Sequence, residues 1–257
     1  MVANLNALTW EEVAALDLSK AVFVLPISSL EQHGWHLPLG TDDHILQIAL
    51  DGLLRDPRLE GDMLFLPAIR FSCSGEHLDF PGTIALSRST VVATVADLLE
   101  CLQRHGARTV AIINSHGGNS NLLDAYSQEW EARYGMRIFA VHLWASSFFE
   151  EAARRYTDSS FSVDIHGGEI ETSLLLYAMP KAVRTGRIDK KNDRPVCLRA
   201  HRSGWSAQEL SPGNGVLGVP SSATAQKGKL LVDYMHEQLV TFLQSVAACA
   251  ASAADNA

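Results

Sequence analysis

Apolar residues fall along this chain in two alternating patterns. Short, largely apolar runs occupy residues 21–27, 63–69, 109–114 and 136–143, the first and third rich in β-branched side chains, and these predict buried strands. Between them the apolar positions recur at helical spacing, as at Ile45, Leu46, Ala49, Leu50, Leu53 and Leu54. That pattern predicts helices over 42–55, 89–104, 120–134 and 146–155. Thr9, followed three residues later by Glu12, predicts a capped short helix ahead of the first strand. A further helix opens within 164–173 and runs to about Tyr177, and a long one covers 223–250, with 251–257 frayed. The stretch 71–83 reads as a long loop, too aromatic for a linker, and 179–220 is irregular. Strands alternating with helix-length connections predict one α/β domain over 1–257, built on a mostly parallel sheet covered on both faces. Ligands in such a fold collect at the carboxyl ends of the strands.

Polar residues with chemistry gather at two of those ends. After the first strand come Glu31, His33, His36 and Asp42, and after the third comes Ser115-His116-Gly117-Gly118-Asn119. Glu31 and His33 are two apart, so extended backbone directs both to one side at roughly 6–7 Å. Side chains so placed can each hold one of two metal ions about 3.5–4 Å apart, and a carboxylate at Asp42 can bridge them. The competing reading is a polar loop facing water. Gly117 and Gly118, ahead of a helix, also allow a phosphate cradle and hence a non-catalytic nucleotide-binding module, but the Lys-Ser/Thr ending of a nucleotide-binding loop is missing. His166 precedes a predicted helix, where its structural alternative is a cap or a core histidine.

Composition narrows the choices. At 257 residues, with 47% hydrophobic and 19% charged residues, the chain has the make-up of a globular protein that buries a full core. No apolar run is long enough to span a membrane, and the first twenty residues lack a signal peptide's basic start and apolar stretch, so a cytoplasmic location and no membrane partner are expected. A net charge of −8 with no basic stripe argues against nucleic acid. Cys73, Cys101, Cys197 and Cys249 form no Cys-x-x-Cys pair and read as reduced structural thiols.

Four motifs resemble the creatininase (creatinine amidohydrolase) family: Leu25-Pro-Ile-Ser-Ser-Leu-Glu31-Gln-His33-Gly-x-His36-Leu-Pro-Leu-x-Thr-Asp42, Glu76-His77-x-x-Phe-Pro-Gly-Thr83, Asn114-x-His116-Gly-Gly-Asn119 and His166-Gly-Gly-Glu169-x-Glu171-Thr-Ser173. The resemblance implies a three-layer α/β sandwich, often a homo-oligomer and possibly a hexamer, with two divalent ions (Zn, Mn or Fe) that hydrolyse a C–N amide bond. It implies Glu31, Asp42 and His116 on one ion, His33 and Asp42 on the other, and His166 as the catalytic histidine. Members act on creatinine, formamidopyrimidine nucleotides or the mycofactocin peptide, so a small cyclic amide or formamide is the expected substrate class and a peptide the alternative. Creatininase resembles His-Tyr-Glu-Asn where this chain has His116-Gly117-Gly118-Asn119, and it has a Trp just before the catalytic histidine where this chain has Ser162 and Val163. Creatinine itself is therefore disfavoured. That Glu is a ligand of the second ion, so Gly118 leaves a donor to be supplied from elsewhere. Glu169, three residues beyond His166 and so expected on the same helix face, is the predicted replacement. Glu171 is then a catalytic-site residue that orients a ligand. Trp35, Trp144 and Trp205 are candidates for a pocket wall.

Overall fold

The computed structural model describes residues 1–196 and 204–254. Five parallel strands form one sheet in the order β1-β3-β2-β4-β5, with β1 at Val2–Asn4, β2 at Val22–Ile27, β3 at Met63–Phe65, β4 at Thr109–Asn114 and β5 at Arg137–His142. β2 and β4 lie side by side over their full lengths, from Val22↔Thr109 to Ile27↔Asn114. This pairing brings the chain leaving β2 next to the chain leaving β4, so both ligand-bearing segments open at one edge of the sheet.

The strands alternate their side chains between two cores. Val22, Val24, Met63, Phe65, Ala111 and Ile113 pack against α2 (Thr41–Leu53), α5 (Ser146–Tyr156), α6 (Glu169–Ala178) and α8 (Ala225–Ala254). Phe23, Leu25, Leu64, Val110, Ile112 and Ile138 face α3 (Arg88–Arg104) and α4 (Ser120–Tyr134). Helix, sheet and helix therefore make three layers, as expected. The capping box predicted at Thr9 is present at the start of α1 (Trp10–Ala14), where Glu12 closes back on Thr9. α8 lies directly on α6, and Gly228 permits the approach: a Cβ there would sit 1.8 Å from the Ser173 carbonyl oxygen.

Several predicted boundaries move. The second predicted strand stops at Phe65, ahead of Pro67, and continues only as an isolated bridge between Ile27 and Ile69. β1 was not predicted at all. Residues Ala251 to Ala254, expected to fray, are helical. The irregular region after α6 holds short 3-10 turns and a one-turn helix, α7 (Ala207–Leu210). Cys197 lies outside the described residues, and Cys73, Cys101 and Cys249 are free thiols. No described helix is long and apolar enough to cross a membrane.

Candidate metal centre

The loop after β2 delivers Glu31 and His33, the first turn of α2 delivers Asp42, and the segment after β4 delivers His116. All four are buried. Donor atoms of Glu31, Asp42 and His116 lie within 4.8 Å of one another, and so do those of His33, Asp42 and Glu171. Asp42 belongs to both groups through different oxygens: Oδ2 is 3.0 Å from His116 Nδ1 and Oδ1 is 3.5 Å from His33 Nε2. A third group joins Glu31, His33 and His166.

Backbone carbonyls fix the rings. His33 Nδ1 donates to the carbonyl of Glu31 at 3.1 Å, His116 Nε2 to that of Cys73 at 2.6 Å, and His166 Nε2 to that of Gln32 at 2.5 Å. A carbonyl can only accept, so each ring turns its other nitrogen toward the centre. His33 Nε2 is buried there with no hydrogen-bond partner, 3.5 Å from both Asp42 Oδ1 and Glu171 Oε1. Orphaned buried nitrogens are rare in folded proteins. One placed between two carboxylates is what a divalent cation requires, so the donor set fits the expected metal.

The charges are strongly perturbed. Burial pushes the Glu31 carboxyl up to about 7, with the Asp42 charge adding to the effect and His116 and His33 opposing it. Burial acts the same way on Asp42, but the adjacent His116 and His33 rings prevail and hold it well below the usual carboxylate range. Burial works against charge on His116 too, yet Glu31 and Asp42 raise it to about 10. His77 and His166 are held well below the ordinary histidine value, by burial first and then by neighbouring imidazoles. These carboxyl and imidazole groups share protons that a bound metal would displace.

The expected role of Glu169 is corrected by its position. Both of its oxygens are engaged away from the centre: Oε1 accepts from Lys227 Nζ at 2.5 Å and from the Asp158 N–H at 2.9 Å, while Oε2 accepts from the Ser159 N–H at 2.8 Å. The three-residue spacing to His166 fails because α6 begins only at Glu169, after a turn in which Gly167 has a φ of 60°. Two residues further along the helix, on the opposite side, Glu171 points inward instead. Its Oε2 accepts from the Gly167 N–H at 2.5 Å and its Oε1 faces His33. Glu171, expected to act behind a ligand, is the carboxylate of the second group.

Gly118 explains why the loop carries no donor. A Cβ at that position would lie 2.5 Å from both the Cys73 carbonyl oxygen and His116 Nε2, so any side chain would disrupt the bond that orients His116. Ser29, Gln32, His77 and Asp164 were given no role by sequence reasoning, although His77 stands in one of the four motifs. The Ser29 hydroxyl lies 2.5 Å from Asp42 Oδ2 and 2.9 Å from Glu31 Oε2. Asp164 accepts the Glu169 and Ile170 N–H groups at 2.7 and 2.9 Å, satisfying the start of α6. A carboxylate a few residues ahead of a helix was the available signal for that role. His36 binds Thr172 Oγ1 at 2.9 Å and stays outside the donor groups.

The centre opens into a cavity of about 850 Å³, whose wall includes Arg88, Trp144, Phe161 and Trp205. Trp35 is 48% exposed and not part of it.

Comparison with known proteins places this arrangement. A family profile described as creatinine amidohydrolase matches residues 6–243. A mycofactocin precursor peptide peptidase of Mycobacterium tuberculosis is 31% identical over 248 residues, covering 93% of this chain and 90% of the relative. A creatinine amidohydrolase of Pseudomonas putida is 29% identical over 247 residues, covering 88% and 90%. Among solved structures, a mutant creatininase superposes with a TM-score of 0.78 at 23% identity, covering 94% of this chain and 97% of that one. A Zn–Zn form of another creatininase mutant gives 0.77 at 24% identity, covering 94% and 96%. With the profile match running through nearly every element of the fold, this chain belongs to the creatininase family of amidohydrolases.

Proposed function

We propose that this chain is a dinuclear metal-dependent amidohydrolase in which Glu31, Asp42 and His116 hold one ion, His33, Asp42 and Glu171 hold the other, and Asp42 serves both. The observation that carries the reading is the buried, partnerless His33 Nε2 between two carboxylates. Bound there, two divalent ions supply Lewis acidity that activates water near neutral pH and polarises an amide carbonyl. The protein's own groups do the rest. Ser29 and the carbonyls of Glu31 and Cys73 hold the donor side chains in place. His166 has its Nε2–H committed to Gln32, so its bare Nδ1 can take a proton from the attacking water and pass it to the departing nitrogen. Water thus adds to the carbonyl carbon, the C–N bond breaks, and acid and amine leave. Such a proton relay contributes ~10²–10⁴ in rate.

The cavity favours a substrate larger than a lone small ring. Its volume of about 850 Å³ lies toward the top of the roughly 300–1,000 Å³ range of ligand pockets. Trp144 and Trp205 offer apolar walls to flanking groups. We assign it an extended amide, with the end of a peptide as the leading class, in keeping with the peptidases among its relatives. Small formamides and cyclic amides are the second class, in keeping with the creatinine amidohydrolase relative.

The test joins metal analysis to a hydrolysis screen over short peptides, N-formylated aminopyrimidines, lactams and creatinine. About two ions per chain and turnover abolished by chelation are expected. Active protein without metal would end the reading. His166→Ala should keep its metal while kcat falls by ~10²-fold or more. Loss of metal in that variant would place His166 among the ligands instead.

A further inference from the structure

One imidazole at the centre is oriented opposite to the others. His33, His116 and His166 each give a ring N–H to a backbone carbonyl and turn the remaining nitrogen inward. His77 is held by Gln32 instead, and the Gln32 amide is itself fixed by two main-chain groups. Its Oε1 accepts the Gly34 N–H at 2.9 Å, and its Nε2 donates to the Gly215 carbonyl at 3.0 Å. Reversing the amide would set oxygen against oxygen and N–H against N–H. The second Nε2 hydrogen of Gln32 therefore points at His77 Nδ1, 2.9 Å away, and that nitrogen must accept. In the neutral ring the proton is then on Nε2. That Nε2–H faces the centre, 3.4 Å from Glu31 Oε1. The ring lines the cavity and stacks on His166, with centroids 4.1 Å apart at 28°. Two stacked imidazoles thus present opposite polarity to one space, a bare nitrogen from His166 and an N–H from His77.

We propose that His77 is a further catalytic residue, donating its Nε2–H to the carbonyl oxygen of the amide under attack, with Gln32 as the positioning residue that enforces this tautomer. The proposal rests on the amidohydrolase reading above. A neutral ring suffices, because the hydrogen bond strengthens as charge builds on the oxygen and no proton need be transferred. Burial to 2% exposure limits competition from water for that N–H.

The experiment has a spectroscopic and a kinetic arm, both on zinc-loaded protein, chosen because zinc is diamagnetic. Nitrogen-15 spectra of histidine-labelled protein should show His77 bare at Nδ1 and protonated at Nε2. In Gln32→Glu the carboxylate can only accept, so the His77 proton should move to Nδ1. With a substrate from the screen, His77→Leu should lower kcat by ~10²–10³-fold, as removal of one oxyanion donor does, with metal content unchanged and KM within a few fold. Gln32→Glu should lose as much, whereas His77→Gln, whose amide N–H can stand in, should recover about tenfold or more of the loss. Where His77→Leu does not fold, the other two variants carry the comparison. An Nδ1–H tautomer in the unsubstituted protein overturns the proposal. So does loss of metal in a folded His77 variant, or a kcat within about threefold of the parent. If the unsubstituted protein hydrolyses no amide, the parent reading fails and takes this proposal with it. Normal turnover with an unaffected His77 variant defeats this proposal alone.

Discussion

Replacing Lys227 by Met tests what Glu169 does. Glu169 is fully buried, and Lys227, 18% exposed at its side chain, delivers the only cation that touches it among the described residues. Breaking a buried pair by removing one partner costs about 3–5 kcal/mol, because the other charge is left uncompensated. Two features reduce that here. The Asp158 and Ser159 N–H groups still bond the carboxylate, and part of the lysine is already wet. A loss of about 2–3 kcal/mol is expected, which for a chain of this length lowers Tm by roughly 5–10 °C. Urea or thermal melts at fixed free metal measure it, since bound metal would otherwise shift the midpoint. In a Glu169→Gln background the same replacement should cost under about 1 kcal/mol, because no buried charge remains to be stranded. The pH dependence has a defined sign. Burial disfavours the Lys227 ammonium, but Glu169 and Asp158 outweigh it and raise the lysine above its ordinary value. The pair's contribution is therefore complete below about pH 10 and lost only as the pH rises through the higher folded value. The deficit of Lys227→Met should be constant through neutral pH. A melt within about 0.5 kcal/mol of the parent would refute the reasoning, since it would mean that the Glu169 charge needs no partner.

Glu171→Gln should lower metal toward one ion per chain at micromolar free metal, while Glu169→Gln keeps two; elemental analysis of the two variants side by side decides which carboxylate is the ligand. Adding Gly118→Glu to Glu171→Gln should restore nothing, and Gly118→Ala alone should cost more than about 1 kcal/mol in a denaturant melt, because its Cβ would meet the backbone carbonyl of Cys73. Asp164→Ala should destabilise by about 1–3 kcal/mol and reduce kcat in parallel, because the start of α6, which carries Glu171, loses its N–H acceptor.

What the sequence revealed depended on how local the physics was. β2 and β4 were legible because both are six-residue runs buried throughout, so composition alone marks them. β1 was not, since three half-buried or exposed edge residues carry no period. Glu31, His33 and His116 were legible as a group because they follow the ends of β2 and β4, and Asp42 because the turn after His36 returns the chain to the same place at the start of α2. Glu169 was expected at the centre because helical spacing was extended back across Gly167, where the chain turns before the helix starts. Gln32 and His77 were hidden for a different reason. Their orientation depends on Gly215, far along the chain, and no window of sequence contains that contact.

The close contact of Gly228 with Ser173 has a consequence for the order of assembly. Every proposed metal-facing side chain lies at or before Glu171, and the strands that carry them precede it. Yet α6 is seated by α8, and Lys227, the neighbour of Gly228, is what neutralises Glu169 at the base of α6. A nascent chain exposing the sheet and all its ligands would still hold Glu171 on a helix that lacks its main packing partner. On the proposed ligand assignment, metal captured at that stage would meet the donors of the first group before the second is held in place, and a chain truncated ahead of α8 is expected to load the second group poorly.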